Sequence, residues 1–90
     1  DIYFLESHGH KVLIHCKEQD LTLRMSIPEA LEQLPKRCFV SPHKSYLVNM
    51  RKIKKLRCSE VTLDDGTTLP VSEKAYAEQK KKYLLWKGLG

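Results

Sequence analysis

No apolar run in this sequence approaches the ~20 residues that a membrane-crossing helix requires, so no membrane partner is expected. Cysteine is sparse: Cys16, Cys38 and Cys58 form no C-x-x-C spacing. An odd, scattered set argues against a disulfide scaffold and for a reducing compartment, with the cytoplasm as the expected location. The four glycines form no Gly-rich loop, so the phosphate-cradling and dinucleotide fingerprints are missing. The opening Asp1-Ile-Tyr-Phe-Leu-Glu6 is acidic at both ends and does not resemble a signal peptide. With 90 residues the chain holds one domain at most, 1–90.

The most informative absence is local: residues 36–57 contain no Asp or Glu. They contain eight cations instead, namely Lys36, Arg37, Lys44, Arg51, Lys52, Lys54, Lys55 and Arg57. Half of the 16 Lys+Arg therefore sit in about a quarter of the chain, whereas residues 1–35 carry three basic and six acidic side chains. The formal net charge is +5. Such a run is either a solvated face or the footprint of a polyanion. The second reading has a physical basis, because each phosphate neutralised on one surface releases condensed counterions. Lys80-Lys81-Lys82 is a weaker sign and reads as a solubilising end.

The local patterns are mainly β with short helices. Residues 2–6 read as a largely buried strand, Ser7–His10 as a turn, 11–16 as a second strand, and 21–25 alternates with period two. Ser26-Ile-Pro-Glu29 is a capping box: Ser26 accepts the Glu29 N–H and Glu29 reaches back to the Ser26 N–H. The spacing predicts a helix to about Leu34 with Ile27, Ala30, Leu31 and Leu34 on one face, stopped by Pro35. Phe39-Val40 and Tyr46-Leu47-Val48 are apolar, and 41–45 between them is expected to be irregular, or a single helical turn. Ile53–Arg57 is a strand candidate with Ile53 and Leu56 inward. Val61–Leu63 and Thr68–Val71 flank Asp64-Asp65-Gly66, a hairpin turn in which Gly supplies positive φ. Ser72 caps a last helix over 73–86, with Tyr76, Gln79, Tyr83 and Trp86 near one side.

Chemistry-bearing clusters are weak. His8 and His10 are two apart and His15 adjoins Cys16, which matches no metal-binding spacing, so no metal site is expected. Cys38 or Cys58 is either a thiol activated by nearby cations or a small buried hydrophobe, the commoner role. No nucleophile elbow or triad pattern is present, so no enzyme activity and no cofactor are expected.

At Phe39-Val-Ser-Pro-His-Lys-Ser-Tyr-Leu-Val-Asn49 the sequence resembles the LytTR family of bacterial DNA-binding domains. The resemblance rests on Phe39, His43, Lys44, Ser45, Tyr46, Leu47, Val48, Asn49, Arg51 and Ile53. It extends to Ile2, Phe4, Leu5 and Glu6 at one end, to Leu31 and Leu34, and to Leu69-Pro70-Val71-Ser72 at the other. It implies an elongated stack of small antiparallel β-sheets with a C-terminal helix. It also implies the output end of a response regulator behind a receiver domain that is absent here, with strand residues before Ile2 trimmed. Two copies would bind direct repeats in promoter DNA, with loops in successive major grooves.

Three regions are implied to touch DNA: His10 and Lys11; Ser41, His43, Lys44 and Ser45; and Ser72, Glu73 and Lys74. Lys44 takes the base-reading position, which suits a lysine facing guanine O6/N7. Arg51 and Lys52 either contact phosphate or raise the local potential. Asn49 either joins them or ties down backbone before Arg51. Two residues depart from the family pattern. Ser41 stands where Arg is frequent, and Glu73 where a base-reading Arg is common. Glu73 accepts only, so it suits cytosine N4 or points away while Lys74 substitutes.

Two other functions compete. One is a protein–protein module whose basic patch meets an acidic partner. The other is single-strand or RNA binding, which needs aromatics on an open sheet face; Tyr3, Phe4 and Phe39 sit in apolar contexts instead.

Overall fold

A computed structural model describes residues 2–35 and 38–88. Asp1 and two of the expected cations, Lys36 and Arg37, lie outside the described residues. The elements in chain order are β1 (Ile2–His8), β2 (Lys11–Cys16), β3 (Asp20–Leu23), α1 (Ile27–Gln33), β4 (Phe39–His43) and β5 (Tyr46–Asn49). A 3-10 turn at Met50–Lys52 leads into β6 (Ile53–Leu56), β7 (Glu60–Leu63), β8 (Thr68–Pro70) and α2 (Glu73–Trp86). All described pairings are antiparallel, in a five-stranded sheet of order β3-β2-β1-β5-β4 and a three-stranded sheet of order β6-β7-β8. The mainly β architecture with a C-terminal helix agrees with the sequence reading.

The larger sheet is buried on both faces along its central strands. Leu5, Val12, Ile14, Phe39 and Leu47 pack with Ala30 of α1 on one face. Phe4, Val40 and Val48 pack on the other with Met50, Ile53, Val61, Leu63, Leu69, Val71 and Tyr83. Adjacent strand residues point to opposite faces. The uninterrupted apolar pairs Phe4-Leu5, Phe39-Val40 and Leu47-Val48 therefore feed both cores.

Several local expectations hold in detail. Ser26 Oγ accepts from Glu29 N–H at 3.3 Å, and Ser72 Oγ accepts from Ala75 N–H at 3.1 Å. Gly66 has φ +91°, and Leu63 N–H bonds Thr67 C=O across the turn at 2.8 Å. Asn49 ties down backbone, accepting from Arg51 N–H at 3.0 Å and donating to the Ile2 carbonyl at 2.7 Å. Leu47 and Val48 are fully buried and Tyr46 partly so.

Other expectations are corrected. Residues 41–43 are not irregular but complete strand β4. Pro42 is tolerated there because β4 is an edge strand, where a missing N–H breaks no ladder. The third strand ends at Leu23, where Met25 N–H turns back onto the Leu23 carbonyl at 3.2 Å. Glu29 meets the Ser26 hydroxyl (3.3 Å) rather than its backbone N–H. Helix α1 ends at Gln33, with Leu34 as an extended C-cap. Ile53 and Leu56 both turn toward the core although three residues apart, because a register shift between Ile53 and Lys55 absorbs one residue. Cys16 and Cys38 pack beside the α1 core, but Cys58 is exposed rather than a buried hydrophobe.

The Asn49 bonds close the start of β1 onto the end of β5. Asn49→Ala is expected to destabilise the fold by about 1–3 kcal/mol, because it leaves the Ile2 carbonyl without this donor. Urea unfolding checks this; an unchanged midpoint would show that neither bond supports the fold.

Candidate nucleic-acid interface

The strand registers decide which loops meet. β1 pairs with β5 through Phe4↔Val48, Leu5↔Leu47 and Glu6↔Tyr46, and Ser7 N–H donates to the Ser45 carbonyl at 2.8 Å. The β1–β2 turn and the β4–β5 turn are thus neighbours at one end of the larger sheet. The first contributes exposed His10 and Lys11 around Gly9, whose φ is +66°. The second is the two-residue turn Lys44-Ser45, between paired His43 and Tyr46, with Lys44 exposed.

His43 is oriented by its neighbours. Its Nδ1 accepts from Ser45 N–H at 3.2 Å, and its ring meets Tyr46 edge-on at 5.8 Å. With Nδ1 accepting, the neutral ring carries its hydrogen on Nε2, as a donor suited to an anionic oxygen. Ser41 is placed differently from the other candidates: it lies half-buried within β4, and its hydroxyl donates to the His43 carbonyl at 3.5 Å.

The third region is joined to the second by two hydrogen bonds. Ser72 N–H donates to the Pro42 carbonyl at 2.8 Å, and Ser41 N–H donates to Gln79 Oε1 at 2.9 Å. The first turn of α2, with Glu73 and Lys74 exposed, is thereby fixed beside the β4–β5 turn. Ser72 uses its hydroxyl as the helix cap. The sequence groups Gln79 with Tyr76, Tyr83 and Trp86 near one side of the last helix, but its bond to β4 needs the tertiary fold. Arg24, absent from the sequence-derived candidates, lines a cleft with Gly9 and His10. The fold shows this because β3 runs back to that end of the sheet.

Arg51 and Lys52 do not join this group. They occupy the 3-10 turn after β5, whose four residues at roughly 3.4 Å each separate its ends by roughly 10 Å. The Lys52 ammonium lies 5.1 Å from the centre of the Tyr3 ring. Lys54, Lys55 and Arg57 follow, all exposed.

A polar network crosses β1, β2 and β3 on the Phe4 face, away from these turns. His15 Nε2 is 3.2 Å from Glu6 Oε1, and its Nδ1 is 3.4 Å from Asp20 Oδ1, while the ring stacks on Phe4 at 4.2 Å. Glu6 also faces Tyr46, whose phenol is held above its ordinary 10.0 by burial first and by the Glu6 carboxylate second.

A family model for the LytTr DNA-binding domain matches residues 1–84. The chain belongs to that family. A solved LytTr DNA-binding domain from a Bacillus cereus response regulator has 30% sequence identity and a TM-score of 0.80, covering 92% of this chain and 80% of its own. The transcriptional regulatory protein YpdB of Escherichia coli K12 is 30% identical over 56 residues, which is 62% of this chain and 23% of YpdB. YpdB of Shigella flexneri matches to the same extent. This LytTr chain thus spans 23% of the length of the curated relatives it matches. Among the described residues of the LytTr domain, no cluster of His, Cys, Asp and Glu is placed to hold a metal ion. No described helix is long and apolar enough to cross a membrane.

The raised phenol of Tyr46 gives a pH dependence with a definite sign. Its stabilising contribution is complete below the unfolded value near 10.0 and is lost as pH rises through the higher folded value. The unfolding midpoint is expected to fall with alkaline pH more steeply in the parent than in Tyr46→Phe. Parallel profiles in the two proteins would remove Tyr46 from the pH dependence.

Proposed function

We propose that the domain binds duplex promoter DNA sequence-specifically, for transcription regulation in the cytoplasm, as the output end of a response regulator. DNA binding in transcription regulation agrees with the family and with the regulatory relatives; the finer reading is ours. The observation that carries it is the meeting of His10, Lys11, Lys44 and the start of α2 at one end of the larger sheet. Loops there enter a major groove about 12 Å wide, without a recognition helix. Two copies occupy direct repeats in successive grooves, and a receiver domain elsewhere in the full-length protein controls them.

The roles follow from donor chemistry. Lys44, at the tip of a two-residue turn, donates to guanine O6/N7. His43 Nε2, Ser45 and Lys11 donate to phosphate oxygens, which fix register without reading sequence. His10 reads a base or phosphate from the neighbouring turn. Ser41 and Ser72 act at the backbone, and Ser72 also presents the α2 N-terminus, where the helix dipole favours an anion. Arg51 and Lys52 serve flanking phosphates. Glu73 accepts from cytosine N4, or leaves the contact to Lys74.

The single-strand reading lacks its platform, since Phe4 and Phe39 are buried and Tyr3 and Tyr46 pack against the core. The acidic-protein reading has no observation of its own in its favour.

Fluorescence anisotropy tests the proposal, with direct-repeat duplexes set against a randomised pool and single strands as salt rises. Preference for a duplex sequence that survives moderate salt is expected. Binding that ignores sequence and collapses with salt would overturn it. Lys44→Ala is expected to cost about 1–3 kcal/mol on the specific duplex and much less on the pool. An unchanged specific-to-nonspecific ratio would remove Lys44 from base reading. Glu73→Arg is expected to shift base preference toward guanine at one end of each repeat, read by selection from the randomised pool. An unaltered profile would mean that residue 73 does not face the bases.

A further inference from the structure

Four strands form the edges of the two sheets, and three of these edges are guarded. β4 is covered by α2 through the Ser41–Gln79 bond. β6 carries exposed Lys54 and Lys55 beside a register shift. β8 is three residues long and ends in Pro70, which has no N–H. Lysines, bulges, proline and covering elements are the devices that close an edge to another strand. β3 is as short as β6 and carries one charge, Asp20, but among the described residues no element covers it. It contains neither lysine nor proline, its register with β2 is unbroken, and all four of its residues are exposed, including Leu21 (44%) and Leu23 (41%).

The parity of the β2–β3 ladder shows which groups face outward. Cys16 N–H donates to the Gln19 carbonyl at 3.1 Å, so Ile14–Leu21 and Val12–Leu23 are the pairs that exchange backbone bonds. The N–H and C=O of Asp20 and Thr22 therefore point away from β2. Leu21 and Leu23 lie on the α1 face, where Leu23 borders a cavity of about 190 Å³ lined mainly by Leu5, Ile14, Met25, Ala30 and Leu34.

The segment Asp20-Leu21-Thr22-Leu23-Arg24 is its own antiparallel complement. Centred on Thr22 against a second copy, it sets Leu21 opposite Leu23 twice and Thr22 opposite itself, and it brings Asp20 at each end toward Arg24, the first residue past the strand. We propose that β3 is a homotypic docking edge: a second copy of this chain adds its own β3 across a twofold axis at Thr22. The outward N–H and C=O of Thr22 pair with their equivalents, the leucines of both copies extend the α1-side core, and two Asp–Arg pairs fix the register. The five residues 20–24 of each copy are far fewer than the roughly 20–30 a side of a standard interface, so the pairing is weak and operates where a tether raises local concentration. The dyad turns the two ends carrying His10 and Lys44 in opposite directions, and Asp20 of the second copy meets Arg24 at the border of the His10 cleft. The proposal stands independently of DNA binding.

Nitrogen-15 NMR and sedimentation equilibrium from micromolar to millimolar concentration test it. Amide shifts confined to 20–24 and its neighbours, with slower Thr22 exchange as concentration rises, are the expected result. Asp20→Arg and Arg24→Asp each set like charges opposite one another and are expected to weaken association about tenfold or more. Mixed together, these two variants complement each other and recover it. Thr22→Pro removes only an outward N–H, which an edge strand tolerates, and is expected to abolish pairing with the circular dichroism spectrum unchanged. Should Asp20→Arg unfold through loss of its His15 contact, Arg24→Asp and Thr22→Pro carry the test. A monomer throughout the range would overturn the proposal. So would shifts located elsewhere, pairing that survives Thr22→Pro, or folded charge variants that do not recover each other.

Discussion

The antiparallel pairing of β1 with β5 is the contact on which the rest depends. It joins the first residues of the chain to its centre, through Phe4↔Val48 and Leu5↔Leu47. Each of these pairs sends side chains to a different core. Removing the pairing would therefore disconnect the α1 layer from the smaller sheet and α2 together. The same register sets the first two loops side by side, since the Ser7–Ser45 bond is one more step along it. The position of the candidate interface is thus a by-product of how two apolar strands align.

A second set of contacts fixes the remaining region. Pro42 has no N–H to give, yet its carbonyl receives Ser72, and Ser41 next to it gives its N–H to Gln79. Strand β4 bonds with β5 on one side and with α2 on the other. Side chains on loops gain precision from a scaffold that cannot shift beneath them. Here that scaffold consists of backbone groups and the Gln79 amide, none of them from the exposed tips Lys44, Glu73 and Lys74, which are thus open to change in specificity without refolding.

Much of this was legible in the sequence where one local signal decides the outcome. Ser26 and Ser72 cap helices because a hydroxyl meets an orphan N–H within one turn, and Gly66 takes positive φ at no steric cost. β4 was not legible, because Ser-Pro-His reads as a break until α2 covers it. Nor was the inward turn of Leu56, which depends on a register shift in pairing with β7. Of the expected contacts, the basic run did not predict its own division, with Lys44 at one end of β5 and Arg51 and Lys52 at the other. The role of His15 as a bridge between Glu6 and Asp20 likewise needed three strands in place.

The strand order also governs how the chain reaches this state. β1, β2 and β3 are joined by short turns, whereas β1 must wait for β5, some forty residues later, to gain its other neighbour. Loop-closure entropy must be met before that contact forms, which places folding in the slower class of topologies, on the order of milliseconds to seconds. During synthesis the first three strands emerge as a meander with one side of β1 unpaired, half of the α1-side core missing, and only Phe4 of the other core in place. Until the stretch Tyr46–Asn49 leaves the ribosome, Phe4 and Leu5 have no strand to close over them, and the nascent meander is the species most exposed to wrong pairing.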